Sequence, residues 1–234
     1  MTTTSTCTYR CPICEHASEH ERIRSSSQFG SRDLDLRPPE MFRGTINLWL
    51  VECPRCFYVS NGDDGLPEGT EAERAAAKER HGPFISPSFL SGEVITEVRL
   101  HSPFSALAKK FMRRSFIDEH LGRLWIAGYH SLSAAWACDD EFRDELAIPC
   151  RLRTAQLIRD FLERSEPDDD TPTVRLVLMD VLRRAGKFDE AREQANALAA
   201  RRNLHEREFG ILRFQCLLID NQVRSGDTIA AAFR

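Results

Sequence analysis

Apolar residues fall at helical spacing from Phe104 onward and in shorter, denser runs before residue 62. Phe104, Leu107, Ala108 and Phe111 recur at three and four residues, which predicts an amphipathic helix. Leu121, Leu124, Trp125, Gly128, Leu132, Ala135 and Trp136 extend the same period over a longer helix. Pro149 interrupts the next segment and is expected to start a helix that ends near Arg164, because proline is tolerated in a first turn. Val174, Val177, Leu178, Val181 and Ala185 mark another helix, closed by Gly186. Phe188, Ala191, Ala195 and Leu198 mark the next, and Leu204 to Val223 a last one. Before residue 62, Thr45 to Val51 is rich in branched and aromatic residues and predicts a strand, within a region of short strands and loops from 9 to 60.

Punctuation divides the chain. Asn61-Gly62-Asp63-Asp64-Gly65-Leu66-Pro67 is a turn-rich boundary. Glu71 to Arg80 reads as a charged helix, and residues 83 to 103, with three prolines, as irregular. Glu166 to Pro172 is a linker, and the residues after Gly226 are small and expected to fray. The predicted organisation is a ribbon over 1–62, an irregular connector over 63–103, a helical domain over 104–226 and a tail over 227–234. The predicted fold class is α+β, mainly α, with a small N-terminal β zinc ribbon ahead of a tetratricopeptide-like antiparallel helical bundle.

The chemistry sits at the head of the chain. Cys11-Pro12-Ile13-Cys14 and Cys53-Pro54-Arg55-Cys56 are two Cys-Pro-x-Cys units with 38 residues between them. Two residues between cysteines let a tight turn aim both sulfurs at one point, and two facing turns complete a tetrahedron with Zn–S near ~2.3 Å. Four thiolates close the coordination sphere, whereas a catalytic zinc keeps one position open. One structural Zn2+ per chain is therefore expected on Cys11, Cys14, Cys53 and Cys56. Spacing alone also admits an iron–sulfur site. A thioredoxin-like redox pair wants a strand-to-helix setting that these motifs lack. Cys7, His16 and His20 lie nearby but exceed the four ligands a structural zinc takes. Cys138, Cys150 and Cys216 stand singly among apolar residues and read as small buried side chains, and His120 and His130 as ordinary polar residues.

Between the knuckles runs Ser31-Arg32-Asp33-Leu34-Asp35-Leu36-Arg37-Pro38. In an extended chain, alternation would put Asp33, Asp35 and Arg37 on one side and Leu34 and Leu36 on the other. The favoured reading is an ion-pair network that orders the loop against the ribbon. The alternative is a binding or catalytic site with Asp33 and Asp35 on a second metal.

These motifs, taken together, resemble a bacterial family catalogued as a domain of unknown function. Its members join a Cys-Pro-x-Cys zinc ribbon, a Ser-Arg-Asp-x-Asp-Leu-Arg-Pro signature, a strand and a second Cys-Pro-x-Cys to a tetratricopeptide-like region. The chain departs from that pattern at Phe57-Tyr58, where Gly-Tyr is usual, and so loses a residue suited to positive φ. The resemblance implies an architecture and no known activity. Leu182 to Ala191 resembles the turn of one tetratricopeptide repeat, with Met179 and Asn203 as departures.

Composition narrows the function. The 32 basic and 36 acidic residues leave a net charge of −4, which argues against general nucleic-acid binding. No apolar run approaches the ~20 residues that span a bilayer, and Met1 to Thr8 lacks the apolar core of a signal peptide, so a cytoplasmic location without membrane insertion is expected. No phosphate-binding loop, nucleophile elbow or His-Glu-x-x-His is present. The expected function is a non-catalytic, zinc-stabilised regulatory adaptor that binds a protein partner through its helical region. The alternatives are a metal-dependent enzyme using Asp33, Asp35 and Arg37 and a zinc-ribbon nucleic-acid binder. The sequence leaves the partner's identity and the oligomeric state open.

Overall fold

The computed structural model describes residues 2–80, 103–165, 171–201 and 204–234. Most of the predicted connector and linker, and Asn203, lie outside the described residues. The architecture is α+β and mainly helical. Strands β1 (Thr3–Arg10) and β2 (Ala17–Ser25) form an antiparallel hairpin, from Arg10 opposite Ala17 to Thr3 opposite Ser25. Strands β3 (Val51–Glu52) and β4 (Val59–Ser60) form a second, shorter hairpin. The first cysteine pair is the tip of one hairpin and the second pair the tip of the other.

The strand predicted over Thr45–Val51 is corrected. A short helix α1 (Glu40–Arg43) leads into a 3-10 turn at Ile46–Leu48, and only Val51 belongs to a strand. Local hydrogen bonds win over β propensity here. The Thr45 hydroxyl donates to Phe42 O at 2.7 Å and accepts from the Trp49 indole at 2.9 Å. Trp49 then stacks on Phe42 and meets Phe111 and Trp136 edge-on, with ring centroids 6.3 and 6.4 Å away.

Helices α2 (Glu71–Arg80), α3 (Ala106–His120), α4 (Leu124–Asp140), α5 (Asp144–Arg164), α6 (Thr171–Arg184), α7 (Phe188–Ala199) and α8 (Glu206–Asp220) complete the chain. Ser105 caps α3 by accepting from Ala108 N. α3, α4 and α5 pack as successive hairpins, followed by the α6–α7 hairpin and then α8. α4 lies against α5 at Gly128, where an added Cβ would meet Ile158 and Leu157 at ordinary contact distances of 3.6 and 3.7 Å. The turns after α3, α4, α6 and α8 share one geometry. Each places a residue at positive φ (Gly122, Phe142, Gly186 and Gln222), and the next amide bonds a carbonyl five residues back. No helix among the described residues is long and apolar enough to cross a membrane.

Pro149 does not start its helix. α5 begins at Asp144, with Asp144 and Glu145 in its first turn, and runs through Pro149. The proline leaves the carbonyl of Glu145 without its helical donor. Burial of Ala147, Cys150, Thr154, Leu157 and Ile158 against neighbouring helices outweighs that loss.

The tail does not fray. Leu34 N bonds Asp227 O at 2.9 Å, Ile229 N bonds Arg32 O at 2.8 Å, and a 3-10 turn at Ile229–Phe233 follows. Phe233 lies over Gly210 of α8, where a Cβ would come within 2.6 Å of its ring. One apolar core runs without interruption from Tyr9, Cys11 and Val59 through Phe111, Trp136 and Leu178 to Ile219. The ribbon is therefore packed into the helical body, and Asp64 of the turn-rich boundary accepts hydrogen bonds from Tyr9, Tyr58 and Ser60.

Candidate metal centre

The two knuckles are built alike. Cys11 N bonds His16 O and Glu15 N bonds Cys11 O, both at 2.9 Å. In the second knuckle, Cys53 N bonds Tyr58 O and Phe57 N bonds Cys53 O, again at 2.9 Å. The turn needs a positive φ one residue past the last cysteine, and Glu15 (φ 57°) and Phe57 (φ 61°) supply it. Phe57 takes this conformation although it is not glycine, at a cost of about 1–2 kcal/mol. The Arg113 guanidinium lies 6.0 Å from its ring centroid.

The facing turns bring the four sulfurs together. Cys11 Sγ is 3.5 Å from Cys56 Sγ, and Cys14 Sγ is 3.5 Å from Cys53 Sγ. All four lie within 4.8 Å of one another. Tetrahedral zinc with Zn–S near ~2.3 Å needs sulfurs about 3.8 Å apart, so the donor set fits one Zn2+ per chain. A multi-iron cluster would interpose several irons and sulfides between the thiolates, for which these separations are too short. Burial pushes the Cys11 thiol up and raises Cys56 to about 12. A divalent cation reverses that penalty by deprotonating the thiols it coordinates. Cys7, His16 and His20 stand outside the cluster. Cys7 pairs across the hairpin with His20 and its thiol donates to His20 O, while His20 Nε2 is 2.9 Å from Ser18 Oγ.

The Ser31–Pro38 signature is not extended. Leu36 adopts φ 67°, and the chain turns back so that Asp33 N bonds Arg37 O at 3.0 Å. Asp35 accepts the Arg37 amide at 3.1 Å, a local bond that favours the turn. Its other oxygen accepts Trp136 Nε1 at 2.8 Å and Arg184 Nη1 at 2.7 Å. Arg184 continues to Asp139, which also takes Arg151. Arg37 donates to both oxygens of Asp140 at 2.6 Å, and Arg43 donates to both oxygens of Asp33 at 3.0 Å. Ser31 Oγ accepts Ala230 N, and Pro38 O accepts Arg43 Nε.

Each carboxylate oxygen of Asp33 and Asp35 is thus engaged by protein donors, and the second-metal arrangement has no free ligand atoms there. The network ties the loop to α4, α5, α6 and the C-terminal turn rather than to the ribbon. Burial alone would raise Asp35, but Arg184, the Trp136 indole and Arg151 outweigh it and hold the carboxyl below its usual range. Asp33 goes the other way, raised by its own burial and by Asp35.

Sequence reading treats His130 as ordinary; the structure gives it a partner. His130 Nδ1 is 2.9 Å from Asp118 Oδ2, across the α3–α4 hairpin. Asp118 is fully buried and also accepts Arg114 Nε at 2.8 Å and Nη2 at 2.9 Å. The only available signal was Gly122, the hairpin turn that folds position 130 back onto position 118. Cys138 and Cys150 are buried as expected, and Cys216 is half-buried.

The fold and site define a mainly helical α+β protein with an N-terminal four-cysteine zinc site. Comparison of the chain with protein families, curated proteins and solved structures finds no match.

Proposed function

We propose that this protein is a non-catalytic, zinc-stabilised adaptor that binds a protein partner through its helical region. The observation that carries this reading is the outer face of α8. Ile211, Leu212, Gln215 and Ile219 turn inward, while Phe209, Arg213 and Leu217, spaced four residues apart, turn outward. Phe209 is 51% and Leu217 60% exposed. The last helix of a stacked array normally carries a polar outer face, so an apolar stripe there suits a partner. Four cysteines also leave the zinc no open position for water or substrate. Eight cysteines, none of them in a disulfide, fit a reducing, cytoplasmic setting.

The test uses the whole chain with a crosslinker placed at Arg213. The adaptor reading expects one discrete crosslinked protein, lost when Phe209 and Leu217 are both changed to Asp while zinc content and helicity persist. Crosslinking that survives the double change, or a crosslink only to solvent-exposed bystanders in proportion to their abundance, overturns it.

A further inference from the structure

A cavity of about 330 Å³ opens between α3, α4 and the turn after β4, and His130 lies in its wall. Asp118 is ionised and can only accept, so the bond at 2.9 Å requires His130 Nδ1 to carry the proton. That fixes the ring: Nε2 is the free nitrogen, a lone-pair acceptor when the imidazole is neutral and a donor when it is charged. Nε2 makes no hydrogen bond among the described residues, although the His130 side chain is only 11% exposed. Its neighbours Asp118 and Arg114 are bonded to one another and to the backbone. Asp118 accepts from Arg114 at both oxygens and from His130 at one, and Arg114 Nη1 also donates to Val59 O at 2.9 Å.

One more charged group faces the same space without a close partner among the described residues. The Arg123 guanidinium comes no nearer than 3.9 Å to Asp118, beyond hydrogen-bonding distance, and is 47% exposed. Asn61 adds an amide, and Trp125 and Ile126 add apolar surface. The cavity wall therefore holds two guanidiniums against one carboxylate, which is already bonded at both oxygens.

We propose that this cavity binds a small-molecule anion, a phosphate monoester or carboxylate borne on an aromatic or apolar body. Its charged head meets Arg123 and His130 Nε2, and its body lies against Trp125 and Ile126. Asp118 and Arg114 act as positioning residues: they hold the imidazole in one tautomer and one orientation. A phosphate hydroxyl can donate to neutral His130 and a phosphate oxygen can accept from charged His130, so a phosphate monoester bonds either ring state, whereas a carboxylate, which only accepts, bonds the charged ring. This site lies apart from the α8 face and stands or falls independently of the adaptor reading.

The test is a titration of the zinc-loaded full chain with phenyl phosphate, benzoate, inorganic phosphate and phenol, read from the His130 ring nitrogen resonances. The expected result is a saturable shift at Nε2 with phenyl phosphate or benzoate, and binding at least about tenfold weaker for inorganic phosphate, which lacks the body, and for phenol, which lacks the charge. Arg123→Gln, at an exposed position, should weaken phenyl phosphate at least about tenfold without changing the melting temperature. His130→Asn keeps a donor toward Asp118, removes Nε2 and should weaken binding similarly when followed by calorimetry; if it fails to fold, Arg123→Gln decides alone. No shift at Nε2 with either anion, phenol bound as tightly as phenyl phosphate, or full affinity in Arg123→Gln overturns the proposal.

Discussion

Trp136 donates its indole N–H to the Asp35 carboxylate at 2.8 Å, joining residues 101 apart in the chain. Asp35 is buried and shares the same oxygen with Arg184. Removing one partner of a buried pair leaves the other charge uncompensated, which costs about 3–5 kcal/mol. Asp35→Ala should lose stability on that scale in urea unfolding followed by tryptophan fluorescence. Asp35→Asn, which still accepts from Trp136, should lose less. Wild-type stability in Asp35→Ala would show that the network contributes no net stability through Asp35.

That pair also shows where the sequence stopped being legible. The four metal ligands could be read directly, because two-residue spacing and tight turns are local physics that repeat at Cys11–Cys14 and Cys53–Cys56. The helices from Phe104 onward were legible for the same reason, since apolar period survives in a single segment. The signature was legible as an ion-pair network but not in its partners. Arg43, Asp140 and Arg184 lie up to 149 residues from the aspartates and arginine they bind, and no local pattern specifies them. Asp118 and His130 were missed because their pairing depends on how two helices cross. Thr45–Val51 misled because branched residues favour strands until side-chain bonds from Thr45 and Trp49 close a turn.

The zinc site should govern order in the head of the chain. Cys53→Ser removes one thiolate, and binding free energy at such a site is folding free energy. Hydrogen exchange should accelerate first across residues 9–60. It should then spread to α3, where Lys110 holds Asn47 O at 3.0 Å and Leu50 O at 3.1 Å and Arg114 holds Val59 O. The α6–α7 hairpin should keep its protection. An unchanged exchange pattern over 9–60 would mean that packing against α3, not metal, orders the ribbon.

Acid should act through Asp118. Burial alone would raise this carboxyl, but the bond from His130 and the charge of Arg114 outweigh it and lower its pKa in the folded state from the ordinary 3.8. A depressed carboxyl contributes stability above its unfolded value, and that contribution disappears as pH falls through the folded value. Asp33 and Asp180, both raised by burial, contribute with the opposite sign, so the whole-protein curve mixes the two. Comparing wild type with Asp118→Asn isolates the one group. Between pH 5 and pH 2, the difference in unfolding free energy should be widest at about pH 5 and shrink below about pH 4. A gap that stays constant over that range would assign the loss to shape rather than to charge.

Phe142 offers the reverse case, a residue the fold would be more stable without. It occupies the turn between α4 and α5 at φ 56°, the position where its counterparts after α3 and α6 are Gly122 and Gly186. A side chain in the left-handed region costs about 1–2 kcal/mol, and burial usually offsets such a cost. Here nothing does, because Phe142 is 92% exposed. Phe142→Gly should therefore raise stability by about 0.5–1 kcal/mol, the relief of strain exceeding the added freedom of the unfolded glycine. Phe142→Ala keeps the strained backbone and should change stability by less than about 0.5 kcal/mol, as surface substitutions do. Chemical unfolding of the three proteins side by side separates backbone strain from side-chain contact. If glycine stabilises and alanine does not, the phenyl ring is kept at this turn at a thermodynamic cost, and its reason lies in what it meets outside the chain. If both variants destabilise, Phe142 makes contacts that hold the turn closed, and the strain is repaid within the fold.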